Sequence, residues 1–145
     1  MVNLTEIIDE IKSGLIEQIH EARANVNVRL HSPFLSIPKR HARSLVYNML
    51  SNAIKFRSHD RPLVDITCFV KDGHLNMTFA DNGLGIKSEN LPKVFQIFKR
   101  FNPEVEGRGI GMYLVKRVID LNNGDIFIES EENIGTTFHL KFPSS

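Results

Sequence analysis

The sequence predicts an α/β domain of the α+β kind: a two-layer sandwich with a mixed five-stranded sheet packed against about three helices. Three observations predict it. The spacing of apolar residues switches between the helical and the strand period in the order helix, strand, helix, two strands, long loop, helix, two strands. Each helical segment carries one apolar stripe, so a single layer of helices on one sheet face uses them all. No repeat, low-complexity tract or Pro/Ser-rich linker divides the 145 residues, so 1–145 is read as one unit.

Asn3 can cap a first helix, with Glu6 three positions on and Leu4, Ile7, Ile8, Ile11, Leu15 and Ile19 as its stripe. Val26, Val28 and Leu30 alternate as in a half-buried strand, and 31–37 reads as a loop. A second helix starts near Pro38 and buries Ala42, Leu45, Val46, Met49, Leu50 and Ala53. Val64, Ile66 and Cys68 alternate, Asp72-Gly73 turns the chain, and Leu75, Met77 and Phe79 return as a β-hairpin. The glycine-rich segment 81–111 has little periodicity beyond a run at 91–98. It is longer than a mere connection needs to be, as lids and binding loops are. Leu114, Val115, Val118 and Ile119 mark the third helix. Ile126 and Ile128, then Phe138, Leu140 and Phe142, form a closing antiparallel pair around Gly135.

Composition excludes several classes of function. Eighteen Lys and Arg against 17 Asp and Glu give a net charge of +1, so nothing marks a general nucleic-acid binder or a protein in direct contact with acidic membranes. Apolar content of 41% with 24% charged residues suits a domain with a real core. The longest nearly apolar stretch, 110–115, contains Gly111 and falls far short of the about 20 residues of a membrane span. Acidic residues at Glu6, Asp9 and Glu10 do not suit a signal peptide. A lone Cys68 suits a reducing compartment, so the expected location is cytoplasmic.

Three patterns could carry chemistry. At about 100° per residue, Asn48, Asn52 and Lys55 fall within roughly 60° of one another, at the edge of the apolar stripe of the second helix. Two carboxamide oxygens and an ammonium there could meet a metal-bound polyphosphate; the same pattern also fits a solvated polar face. Asp81-Asn82-Gly83-Leu84-Gly85-Ile86 ends a strand. A carboxylate there can accept from an exocyclic amine and the glycines let the backbone approach a flat ring, but an ordinary Asp-Asn-Gly turn fits as well. Gly107-Arg108-Gly109-Ile110-Gly111 runs into the third helix, where free N–H groups and the helix dipole favour an anion. It is neither G-x-G-x-x-G after a strand nor a G-K-[ST] loop.

Together, in this order, the segments resemble the ATP-binding catalytic domain of sensor histidine kinases, within the gyrase, heat-shock chaperone, histidine kinase and MutL ATPase superfamily. Residues 45–56 are similar to its asparagine box, 81–86 to the first glycine box and 94–101 to the phenylalanine box. Residues 107–112 are similar to the second glycine box and 135–138 to the closing Gly-Thr strand. The resemblance covers essentially the whole chain. It implies ATP and magnesium as ligands, with Asn52 on the metal and Asn48 and Lys55 near the phosphates. Phe56 would lie against the adenine and Asp81 would receive its amino group, with Thr136 supporting through water. Gly83, Gly85 and Ile86 would line the base pocket, Gly107, Gly109 and Gly111 would form the phosphate turn, and Arg100 would reach the terminal phosphate. Asn48, Lys55 and Arg100 are the implied catalytic residues, and the segment between Ile86 and Gly107 the mobile ATP lid. Two departures stand out. Arg108 occupies a usual Thr or Ser position, and Asn122-Asn123-Gly124 replaces paired glycines, which Asn tolerates because it too adopts left-handed backbone.

The hydrolysing branches of that superfamily place a glutamate four residues before the magnesium asparagine. Asn48 stands there, and an amide has no useful basicity toward water. The resemblance therefore implies phosphoryl transfer to a histidine on a separate dimerisation domain, with a response-regulator receiver domain downstream. The alternative is a nucleotide-responsive binding module or ATPase switch without kinase activity. His20-Glu21-Ala22-Arg23 echoes a phosphorylation box, but Asn25 replaces its proline and no second hairpin helix fits before Asn48, so His20 reads as a surface residue. The other histidines, His31, His41, His59, His74 and His139, show no ligand spacing. The chain thus reads as the catalytic part of a longer kinase, lacking its dimerisation domain. If 87–108 is a lid, hydrogen exchange across it is expected to slow when nucleotide and magnesium are added; slow exchange in the free chain would contradict that reading.

Overall fold

The computed structural model describes residues 1–58, 61–96 and 110–144. Strand β1 (Val2–Asn3) leads into α1 (Leu4–Gly14) and α2 (Ile16–Ala22), then β2 (Asn25–Leu30), β3 (Phe34–Leu35) and α3 (Lys39–Lys55). The hairpin of β4 (Leu63–Lys71) and β5 (His74–Asp81) follows, then a 3-10 turn over Ser88–Lys93. Helix α4 (Gly111–Leu121) and the hairpin of β6 (Asp125–Glu131) and β7 (Gly135–Pro143) close the fold.

The five long strands form one sheet in the order β2-β4-β5-β7-β6. Strands β2 and β4 are parallel, which demands a crossover, and α3 supplies it; the remaining pairs are antiparallel, so the sheet is mixed as expected. Alternation decides which face is covered. Val64, Ile66, Cys68, Leu75, Met77, Phe79, Phe138, Leu140 and Phe142 are all buried beneath the helices, while their neighbours Asp65, Thr67, Asn76, Thr78 and His139 face the other way. Ala42, Leu45, Val46, Met49, Leu50 and Ala53 of α3 and Val115, Val118 and Ile119 of α4 complete the same core.

The turns hold where their chemistry says they should. Asp72 (φ 54°) and Gly73 (φ 73°) both take left-handed backbone, the signature of a tight two-residue hairpin. Asn123 (φ 57°) ends α4 in the left-handed conformation, with Gly124 N–H donating to Ile119 O at 2.9 Å. Two segments differ from expectation. The first helix is divided at Leu15, whose N–H is shared between Ile11 O and Lys12 O at 3.0 and 3.2 Å. Gly14, a poor helix former, weakens the turn just there, and Leu15 and Ile19 beyond it are both buried in the core. Within 31–37, Phe34–Leu35 pairs antiparallel with Val2–Asn3, although Asn3 also caps α1 by accepting Thr5 N–H at 2.9 Å. A two-residue strand leaves no periodicity to read.

Cys68 lies fully buried on β4, and burial pushes its thiol up to about 12. In the folded chain it is expected to resist a thiol-reactive dye and to label only as fast as the core opens. Rapid labelling in native buffer would mean that β4 is exposed by local rather than global unfolding.

Candidate functional site

The site lies where the C-terminal half of α3, the N-terminus of α4 and the end of the central strand β5 come together. At one end, Asn48 and Asn52 sit one helical turn apart on α3. Asn48 is 9% exposed, and its amide nitrogen donates to Ser44 O at 2.7 Å and Ser44 Oγ at 3.3 Å. Only the nitrogen can donate to a carbonyl, which turns Oδ1 the other way. That oxygen faces Gly111, the first residue of α4: a Cβ on Gly111 would lie 3.1 Å from Asn48 Oδ1 and 3.4 Å from Asn52 Oδ1. Two neutral oxygen donors thus converge beside the first turn of α4, whose leading N–H groups have no partner within the helix. Such a cradle can take an anion, and its oxygens suit a hard cation such as magnesium. Among the described residues no group of three or more His, Cys, Asp or Glu could hold a metal instead. Lys55, expected beside these asparagines, is exposed in the last turn of α3.

At the other end, Asp81 terminates β5 between β4 and β7. Burial raises its carboxyl above the ordinary carboxylate value, and the N–H groups of Gly83 and Thr136 partly offset that by donating to it. The Gly83 bond, at 2.9 Å to Oδ1, closes the turn that Asp-Asn-Gly suggests. Asn82 is structural: its Oδ1 accepts Leu63 N–H at 2.8 Å and its amide donates to Arg61 O at 3.1 Å, anchoring the start of β4.

Close approach fixes the glycines. A Cβ on Gly83 would lie 2.5 Å from Phe56 O, the carbonyl that accepts Leu84 N–H at 2.9 Å. The segment after α3 is thereby tied to the glycine-rich turn through the Phe56 backbone. Gly85 has φ 71°, and a Cβ there would run into Glu131 O at the end of β6. From the β6–β7 hairpin, Asn133 N–H donates to Leu84 O at 2.6 Å and Ser130 Oγ accepts Ile86 N–H at 2.7 Å. Ser130 also contacts Thr136 Oγ1, at 2.8 Å, and Thr136 is buried.

The structure therefore brings together Asn48, Asn52 and Gly111 at one end, and Asp81, Gly83, Gly85, Ile86 and Thr136 at the other. Arg100, Gly107 and Gly109, with Arg108 and the second half of the lid expected between 86 and 107, lie outside the described residues. His20 is exposed on α2, as expected of a surface histidine. Ser130 is the residue that sequence reasoning missed. A serine in an alternating strand carries no pattern, and only its partner two strands' ends away reveals its use.

Residues 38–145 match the family described as histidine kinase-, DNA gyrase B-, and HSP90-like ATPase. The chain belongs to that ATPase family. It is 33% identical over 86% of its length to the sensor protein RprX of Bacteroides fragilis, of which it covers 25%. Its fold is similar to that of a mycobacterial sensor histidine kinase, MprB, with a TM-score of 0.84, 24% identity, 98% of this chain and 95% of that one covered. It is also similar to full-length ShkA solved in complex with AMPPNP, with a TM-score of 0.82, 22% identity and coverage of 98% of this chain and 30% of that one. The chain spans about a quarter or less of the curated relatives it matches. Membership of this ATPase family implies that the domain binds a nucleotide, and among the described residues no helix is long and apolar enough to cross a membrane.

The buried carboxyl has a measurable cost. With its titration raised by folding, Asp81 contributes most to stability at low pH, and that contribution is lost as pH rises through the folded-state titration. Asp81→Asn, neutral throughout, is therefore expected to melt above the parent chain at pH 7, by a margin that narrows as pH falls. Thermal unfolding at several pH values checks this; a margin that widens toward low pH would contradict it.

Proposed function

We propose that the chain is the ATP-binding catalytic domain of a two-component sensor histidine kinase, acting in the cytoplasm. It binds magnesium-ATP and transfers the γ-phosphoryl group to a histidine on the dimerisation domain of the same kinase, from which a receiver domain is phosphorylated in turn. The family match, the sensor kinases among its relatives and the AMPPNP bound to ShkA support this reading.

The observation that carries it is the amide at position 48. In the hydrolysing branches a glutamate there activates water; here the Asn48 nitrogen is committed to Ser44 and its oxygen faces α4. Neither atom can take a proton from water. ATP held here is spared hydrolysis and kept for an imidazole nitrogen supplied from outside the chain. That nitrogen forms the new P–N bond, the bond to the β-phosphate oxygen breaks, and ADP leaves. Asn48, Lys55 and Arg100 act on the phosphates by position and charge, and Asn52 holds the metal. When bound, magnesium supplies charge neutralisation on the phosphates. Gly107, Gly109 and Gly111 form the turn around them. Asp81 accepts from the adenine amine, with Thr136 assisting through water, and Phe56, Gly83, Gly85 and Ile86 line the base pocket.

Two variants separate the two ends. Asp81→Asn is expected to weaken ADP binding at least about 10-fold, since a hydrogen bond to a charged group is worth roughly 1.5–3 kcal/mol; unchanged affinity by calorimetry would remove Asp81 from the base pocket. Asn52→Ala is expected to weaken binding with magnesium more than binding in EDTA, and equal losses would make Asn52 a helix-packing residue only.

The deciding experiment uses labelled ATP and magnesium. Alone, the chain should neither acquire acid-labile phosphate nor hydrolyse ATP beyond a trace. With the dimerisation domain of the parent kinase added, label should appear on that partner. Binding without transfer would favour a nucleotide-responsive module. Label on the isolated chain that His20→Gln abolishes would make His20 the acceptor.

A further inference from the structure

Ser130 has no place in the catalytic reading, yet its hydroxyl makes three contacts at the base end of the site. Its Oγ lies 2.7 Å from Ile86 N, 3.1 Å from Gly135 O and 2.8 Å from Thr136 Oγ1. One arrangement of hydrogens makes all three of them hydrogen bonds. The Ile86 N–H can only donate and the Gly135 carbonyl can only accept. The one hydroxyl hydrogen of Ser130 therefore goes to Gly135, and its two lone pairs receive the Ile86 N–H and the Thr136 O–H. Thr136 has then spent its only hydrogen on Ser130. What its oxygen offers to anything else is lone pairs.

That polarity matters because of what stands next to it. Thr136 is the direct partner of Asp81 across the β5–β7 ladder, which sets the two side chains side by side on one face of the sheet. Two adjacent acceptors complement a group rich in hydrogens, such as the exocyclic amine of adenine, met directly or through a water. They repel the carbonyl that guanine carries at the same ring position. Backbone contacts alone already tie the turn to the hairpin, through Asn133 N–H and Leu84 O, and an exposed Lys87–Glu132 pair at 3.7 Å adds to them. Among these links, only the Ser130 side chain touches both the glycine-rich turn and Thr136.

We propose that Ser130 is a positioning residue that sets the base preference of the pocket, by holding the Thr136 hydroxyl as a hydrogen-bond acceptor while tying the glycine-rich turn to it. This rests on the reading of Asp81 and Thr136 as base-binding residues. Without Ser130, the Thr136 hydroxyl can rotate and present its hydrogen to the ligand, and the distinction between an amine and a carbonyl blurs.

The test measures calorimetric affinities of the full chain for ADP, for GDP and for the diphosphate of purine riboside, which lacks the amino group. Ser130→Ala should reduce the preference for ADP over the other two by about 10-fold, the worth of one well-placed hydrogen bond. Ser130→Thr, which keeps the hydroxyl, should restore it. Should Ser130→Ala fail to fold, Ser130→Cys, close in volume and a weak hydrogen-bonding group, should show the same loss. Thr136→Val should also lose the preference, and Ser130→Ala added to it should change the ratio no further. Equal weakening of all three ligands by Ser130→Ala would overturn the proposal, since a merely structural serine lowers affinity without moving the ratio. An additional shift in the Thr136→Val background would overturn it too. A failure of the underlying reading looks different: the unmodified chain would not discriminate ADP from the purine riboside diphosphate, and Asp81→Asn would leave ADP affinity intact.

Discussion

A partly buried carboxyl group at the end of a central strand needs hydrogen-bond donors, and much of the site's architecture answers that need. Asp81 sits between β4 and β7, where burial penalises its charge. The donors that offset the penalty are backbone N–H groups from two directions, Gly83 of the following turn and Thr136 of the neighbouring strand. For Gly83 to reach, the chain must pass so close to the Phe56 carbonyl that no side chain fits there. To stay in place, the same turn must lie against Glu131 and accept the Asn133 N–H. One buried acceptor thus specifies a glycine, a left-handed glycine two residues on, and the geometry of a hairpin some fifty positions later in the chain.

The opposite end of the site solves a different problem with the same economy of parts. Helix α3 must fill the core with Leu45, Val46 and Leu50, all fully buried, and present polar atoms from its flank. Asn48 manages both because its nitrogen bonds back to Ser44 one turn earlier, so a polar residue is buried without leaving a donor unsatisfied. Helix α4 packs against α3 with Val115, Val118 and Ile119, and this packing sets its first residue in front of Asn48 and Asn52. The placing of Gly111 before the two asparagines is therefore a product of apolar packing further along the same two helices.

Most of this was legible in the sequence because the relevant signals are periodic or are forced by backbone conformation. The alternation of Val64, Ile66 and Cys68, the Asp72-Gly73 turn and the stripe of α3 each map onto one element. Two things were not legible. The division of α1 from α2 depends on how Leu15 and Ile19 meet the core, which a helical pattern running through both does not disclose. The work of Ser130 depends on the registry of β6 with β7 and on the path of a turn distant in sequence, so no local pattern marks it. Lys55 shares a flank with Asn48 and Asn52 and is exposed in the last turn of the helix.

The packing of α1 has a consequence for what counts as the unit of this protein. The family match begins at residue 38, just before the first of the motifs. Yet Leu4, Ile7, Ile8, Leu15 and Ile19 belong to the same core as α3, and burying each such side chain is worth roughly 1.5–3 kcal/mol. A chain trimmed to residues 38–145 would keep Asn48, Asn52 and Asp81 and lose a wall of the interior that holds α3 in place. The family model and the folded core therefore begin at different points of the chain: the residues before 38 lie outside the one and inside the other.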